Sequence, residues 1–297
     1  MGKALADAYP AARAVFDEVD EALGEKLSEI VWNGPAETLT LTANAQPALM
    51  AVSLAAVKVL EGEGITVRDK AAFVAGHSLG EYSALAAAGT FSITDAARLL
   101  RIRGRAMQEA VPVGAGAMAA LIGLEIDAAR EVAAAAAEGE VCAVANDNGG
   151  GQVVISGSKA AIDRAVEIAK VKGAKRAIPL PVSAPFHCAL MAPAADAMAK
   201  ALAGVTLRPP AVPLVANVVA APVSDPVEIR RRLVEQVTGV VRWRESIAWL
   251  ASAGVDLFVE IGAGKVLSGL AKRIAGGAET LAVGAPDDIA AALAKLG

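Results

Sequence analysis

Histidine and cysteine are nearly absent from this sequence: 297 residues contain two of each, His77, His187, Cys142 and Cys188. With no C-x-x-C spacing, the cysteines exclude a zinc ribbon and a disulfide framework. There is no basic block, and the formal net charge is -4, which argues against non-specific nucleic-acid binding. No apolar run reaches the roughly 18 residues that span a bilayer. The start, Met1-Gly2-Lys3, lacks a secretory apolar segment, and Ala6 stands where a myristoylation site needs a hydroxyl. These absences predict a soluble cytoplasmic protein without nucleic-acid or membrane partners, and suggest no metal or redox cofactor. Aromatics are only 3%, and the 55% hydrophobic content is led by alanine, which suits alanine-faced helices on a sheet. The length allows one large core, or a core with a smaller insert.

What is present centres on Gly76-His77-Ser78-Leu79-Gly80-Glu81. An apolar run, Ala71 to Ala75, precedes it; helix formers from Leu79 to Ala88 follow, and Gly89 stops them. That is the strand–turn–helix context of a G-x-S-x-G nucleophile elbow, with Ser78 as the nucleophile. Glycines at 76 and 80 are expected to leave room for a strained turn.

Upstream, residues 3–23 read as a helix interrupted at Tyr9-Pro10, Trp32 to Pro35 as a turn, and Pro47 as the opening of a helix over 48–60. Ser92 and Asp95 fit a capping box for a helix to about Ala110. Residues 117–124, 141–145, 152–156 and 175–182 read as strands, with helices after Asp127 and Ser158. That β-α-β-β-α-β order is ferredoxin-like. It predicts an inserted subdomain over 114–183, splitting an α/β core of residues 1–113 and 184–297. Asn146 to Gly151 reads as a flexible loop, because no Lys-Ser/Thr follows to make a phosphate cradle. Beyond Pro185, strands over 212–216 and 255–261 alternate with helices, implying a parallel sheet.

Two histidines make the search for a base short. His77 adjoins the serine and reads as structural; His187 follows it in nucleophile-then-base order. No acid stands convincingly between Ser78 and His187, and Asp225, Asp256 and Glu260 lie beyond. A backbone or amide oxygen could orient the imidazole instead. Arg101, Arg103 and Arg105 share one helix, and at 100° per residue Arg103 falls on the apolar side with Leu99, Ala106 and Met107. A buried arginine needs an anion: either an internal carboxylate or a substrate carboxylate held bidentately.

The elbow extended to Ala84, Arg103-Gly104-Arg105-Ala106-Met107-Gln108, Phe186-His187-Cys188-Ala189-Leu190-Met191, Gly262-Ala263-Gly264-Lys265-Val266-Leu267 and Ala45-Gln46-Pro47-Ala48-Leu49 together resemble the malonyl-CoA:acyl-carrier-protein transacylases. The resemblance runs through nearly the whole chain. It implies an α/β-hydrolase-like core with a ferredoxin-like insert, and ping-pong transfer of malonyl from coenzyme A through Ser78 to the phosphopantetheine of acyl carrier protein, in fatty-acid synthesis. By position it implies Ser78 as nucleophile, His187 as base and Arg103 as carboxylate clamp. It further implies that the Gln236 main-chain carbonyl orients His187, that the Leu79 N–H is an oxyanion donor, and that Phe186 disfavours a 2-methyl branch. Gln46 and Met107 are expected beside the substrate. Acyl carrier protein is acidic, so Lys272 and Arg273 are candidate docking charges, or else simply solvated ones. A monomer is expected.

The family opens with a short strand and an F-P-G-Q-G-S-Q loop whose glutamine supplies a second oxyanion N–H. Neither is found in this sequence, so a missing core strand and half an oxyanion hole are expected; an internal methionine taken as the start would explain it. Losing one such donor costs about a hundred- to a thousandfold in rate. Two alternatives stand beside the transferase: a serine hydrolase or thioesterase acting on acyl-CoA, and an inactive fragment.

Overall fold

The computed structural model describes residues 1–297. Its core is built around the helix Thr42–Gly62, which packs against Pro10–Leu23 on one side and Ile93–Glu109 on another. This helix starts before Pro47 and carries the proline inside it, rather than being opened by it. By length and composition alone it could cross a bilayer, but 67% of that stretch is buried inside the protein, as in a core helix. Thr42, Asn44, Gln46 and Ser53 interrupt its apolar run in the sequence. Its apolar residues, among them Met50, Ala51, Val52, Leu54 and Ala55, lie buried in the main core.

The helix Ile93–Glu109 begins where Ser92 Oγ accepts the Asp95 N–H at 2.9 Å, a side-chain cap that satisfies a donor left open by the first turn. Gly104 brings it against the Thr42–Gly62 helix, since a Cβ there would lie 2.5 Å from the Thr42 carbonyl oxygen. The close crossing places Arg103 beside Gln46.

Residues 116–179 carry four strands: β1 (Gly116–Ile122), β2 (Cys142–Asp147), β3 (Gln152–Ser158) and β4 (Arg176–Pro179). They form one antiparallel sheet in the order β2-β3-β1-β4, the ferredoxin-like order. Helices Ile126–Ala137 and Lys159–Val171 cover one face through Ala129, Val132, Ala133, Ile162, Ala165 and Ala169. The first of these is capped at Glu125, two residues before the expected Asp127. The other face sets Met118, Ala120, Ala145 and Val154 against Phe186 of the core. Alternate residues of β1 thus face two different clusters, as a strand's two-residue period requires.

Where one parallel sheet was expected in the core, two separate two-stranded sheets stand. β5 (Leu214–Ala216) pairs antiparallel with β6 (Ala221–Val223), and β7 (Leu257–Ile261) pairs parallel with β8 (Glu279–Val283). The run Ala71 to Ala75 makes only one parallel bridge, Val74 with Leu214, where a full strand was expected. β8 and the final helix Pro286–Leu296 went unread in the sequence.

Candidate active site

Ser78 sits at φ 53°, a left-handed conformation that costs a non-glycine residue about 1–3 kcal/mol. Asn217 holds this turn from both ends: its Oδ1 accepts the Ser78 N–H at 2.8 Å, and its Nδ2 donates to the Gly76 carbonyl at 2.8 Å. A Cβ on Gly76 would lie 2.0 Å from the Gly80 carbonyl, so that glycine is obligatory. Gly80 has open space around it, against the expectation that both glycines relieve crowding. The helix Gly80–Ala87 follows at once, and the Leu79 N–H makes no hydrogen bond.

His187, also left-handed at φ 58°, is buried. Its Nδ1–H donates to the carbonyls of Gln236 (2.9 Å) and Gly239 (3.1 Å), leaving Nε2 to accept the Ser78 hydroxyl at 2.8 Å. No carboxylate orients the ring. Asp225 caps the helix Pro226–Glu235, and Glu260 accepts the Leu267 and Ser268 N–H groups.

Arg103 is 1% exposed and has no carboxylate within ion-pair distance. One Nη donates to Gln46 Oε1 at 2.7 Å; the other donates to Gln236 Oε1 at 2.8 Å and to Ser78 Oγ at 3.0 Å. Its Nε–H has no partner. Of the two sequence readings, the internal ion pair is therefore absent. Arg101 is buried as well, paired with Glu25 and hydrogen-bonded to Asn44; helical phase alone had singled out Arg103. Arg105 is exposed.

The remaining sequence candidates fall around this centre. Gln46 and Met107 are buried behind Arg103, with Gln46 Nε2 donating to Thr42 Oγ1 at 2.9 Å and to Met107 Sδ at 3.6 Å. Phe186 is half-buried between the core and the ferredoxin-like sheet. Lys272 and Arg273 are exposed on the helix Val266–Ile274. The loop expected to be flexible packs there: Gly149, Gly150 and Gly151 are all left-handed, and a Cβ on Gly149 would meet Ile274 at 2.8 Å. No cluster of three or more His, Cys, Asp or Glu side chains could hold a metal.

Three residues escaped the sequence reading. Asn217 is one, and its signal was a polar residue ending the apolar run Leu214-Val215-Ala216. Gly239, a second acceptor for His187, had none. Glu81 is 1% exposed; its carboxylate accepts the Asn217 N–H at 2.6 Å and the Gln236 Nε2–H. A charged residue on the inner face of the elbow helix was its signal. His77 is structural, donating from Nε2 to Asn148 Oδ1 at 3.0 Å and tying the ferredoxin-like sheet to the elbow.

Burial dominates the electrostatics. It pushes His187 down to about 3, helped by the nearby Arg103 charge and opposed by the Gln236 and Gly239 carbonyls. Burial also lowers His77, against its bond to Asn148, and raises Glu81 to about 8 against the Asn217 N–H, the Gln236 amide and Arg103. The unfolded chain therefore binds more protons at its histidines below pH 6.5, so their contribution is present above that value and lost as pH falls. Glu81 works oppositely: its contribution is present below 4.5 and lost as pH rises through about 8. Denaturant midpoints measured across pH should peak between about pH 5 and 8, and Glu81→Gln should flatten the alkaline limb and steepen the acid limb above pH 4.5.

A serine on a strained turn before a helix, a neutral histidine on its hydroxyl and a free N–H beside it are an arrangement able to support serine-dependent acyl transfer on an α/β fold. A family model for the acyl transferase domain matches residues 1–279. The malonyl CoA-acyl carrier protein transacylases of Bacillus subtilis (strain 168) and Escherichia coli (strain K12) are each 47% identical. The matches cover 100% and 97% of this chain, and 92% and 93% of theirs. The crystal structure of acyl-carrier-protein-S-malonyltransferase from Bartonella henselae superposes with a TM-score of 0.98 at 61% identity, covering 100% of this chain and 95% of that one. A malonyl-transacylase solved in complex with its type II PKS acyl-carrier protein superposes at 0.96 and 42% identity, over 99% and 94%. The chain belongs to the malonyl CoA-acyl carrier protein transacylases of the acyl transferase domain family.

Proposed function

We propose that this chain moves malonyl from coenzyme A to an acyl carrier protein through an ester on Ser78. The observation that carries the reading is Arg103: a buried guanidinium without a carboxylate partner, 3.0 Å from the Ser78 oxygen. It suits an acyl group that brings its own carboxylate, and a plain thioesterase site has no use for it.

In the first half-reaction His187 Nε2 takes the Ser78 proton as Oγ attacks the thioester carbon. The oxyanion forms against the Leu79 N–H, a donor already fixed in place. The C–S bond then breaks, and His187 returns the proton to the coenzyme A sulfur. In the second half-reaction His187 takes a proton from the phosphopantetheine thiol, sulfur attacks the malonyl ester, the C–O bond breaks and Ser78 recovers its proton. A carboxylate on Arg103 would offset the charge that helps depress His187, making the imidazole a stronger base when malonyl is bound. Gln46 and Met107 back the clamp, and Phe186 limits branching at malonyl C2. Lys272 and Arg273 are exposed charges for an acidic carrier protein, with the reaction placed in the cytoplasm.

The test is mass spectrometry of a phosphopantetheine-bearing acyl carrier protein incubated with malonyl-CoA and catalytic enzyme. The expected result is a malonyl increment on the carrier; free malonate with an unmodified carrier would favour a thioesterase.

A further inference from the structure

Gln236 touches four groups of the site at once. Its main-chain oxygen holds His187, its Oε1 accepts from Arg103 at 2.8 Å, and its Nε2 donates to the Ser78 carbonyl at 2.9 Å and to Glu81. The side-chain amide is fully buried, so its orientation is decided by protein partners alone. Arg103 can only donate, and therefore needs the amide oxygen. The NH2 end must then find acceptors, and Glu81 lies on that side, one helical turn beyond the nucleophile.

We propose that Glu81 is a positioning residue for the carboxylate clamp: it fixes the Gln236 amide, and the amide fixes the Arg103 guanidinium that selects a carboxylate-bearing acyl group. The inference rests on the malonyl-transfer reading. Glu81 touches no substrate atom: it acts on the clamp through Gln236, and its other oxygen accepts the N–H of Asn217, which holds the Ser78 turn. Its requirement is chemical as well as steric. Both of its oxygens accept, one from the Asn217 N–H and one from Gln236, and each keeps a lone pair whether or not the carboxyl is ionised. A carboxamide has a single acceptor oxygen. Glu81→Gln therefore sets an NH2 against either the Asn217 N–H or the Gln236 amide. If Gln236 flips to relieve the clash, its NH2 faces Arg103 and the guanidinium is displaced.

The experiment compares acyl-enzyme formation from malonyl-CoA and acetyl-CoA in the parent protein, Glu81→Gln, Gln236→Met and the double variant. Gln236→Met keeps the main-chain oxygen and removes the amide. The malonyl-to-acetyl ratio of kcat/KM should fall at least tenfold in each single variant, mainly through KM for malonyl-CoA. The double variant should lose little more than either single one, because the two residues act in series. A Glu81→Gln protein that loses both substrates equally, keeps the parent ratio, adds its effect to that of Gln236→Met or lacks a cooperative melt would overturn the inference. A parent that forms no malonyl ester would overturn the transfer reading, and this inference with it.

Discussion

Ser78→Ala leaves a folded protein that forms no malonyl ester, with kcat down by about a millionfold, the scale on which serine enzymes lose activity with their nucleophile. The side chain is the only oxygen within reach of His187 Nε2, at 2.8 Å, and water has no positioned substitute for it. The turn survives because its supports are backbone groups: Asn217 grips the Ser78 N–H and the Gly76 carbonyl whatever stands at Cβ. Alanine carries the same Cβ penalty at φ 53° as serine. Intact-protein mass after mixing with malonyl-CoA reads the result directly, and a malonyl increment on the alanine variant would sink the assignment.

Arg103→Ala should lower the malonyl-to-acetyl ratio of kcat/KM by about a hundred- to a few thousandfold. A buried charge stripped of its partner costs about 3–5 kcal/mol, and each 1.36 kcal/mol is a factor of ten. Here the stranded group is the substrate carboxylate, facing Gln46 and Gln236 oxygens that have also lost their donor. Arg103→Lys should recover only part, because one ammonium cannot reproduce the planar fork that bonds both glutamines and Ser78. A second readout separates lost contacts from lost charge. Removing the guanidinium removes one of the forces depressing His187, so the acid limb of acetyl transfer should move to higher pH. Burial is the larger force and remains, which keeps the move partial. An unchanged ratio between the two acyl-CoA substrates would refute the clamp.

The sequence by itself determined what short-range chemistry controls. Ser92 with Asp95 starts a helix, Gly24 and Gly89 end two others in left-handed conformations, and the apolar run into Gly76-His77-Ser78 places a serine on a turn. These depend on residues a few positions apart, so periodicity and capping expose them. The four strands of the ferredoxin-like sheet were legible for the same reason, while their order was set by packing against two helices. Length of pairing was not legible: Ala71 to Ala75 has the composition of a strand, yet makes one bridge, to Leu214 of β5. Only the tertiary structure decided the electrostatics. Arg103 and Gln46 meet through a helix crossing that Gly104 permits, and Glu81 and Gln236 reach them from two further elements. Helical phase could turn Arg103 inward, but an arginine's partner is a matter of three dimensions. Arg101 found Glu25 and an ion pair, while Arg103 found two amides and a hydroxyl and no carboxylate.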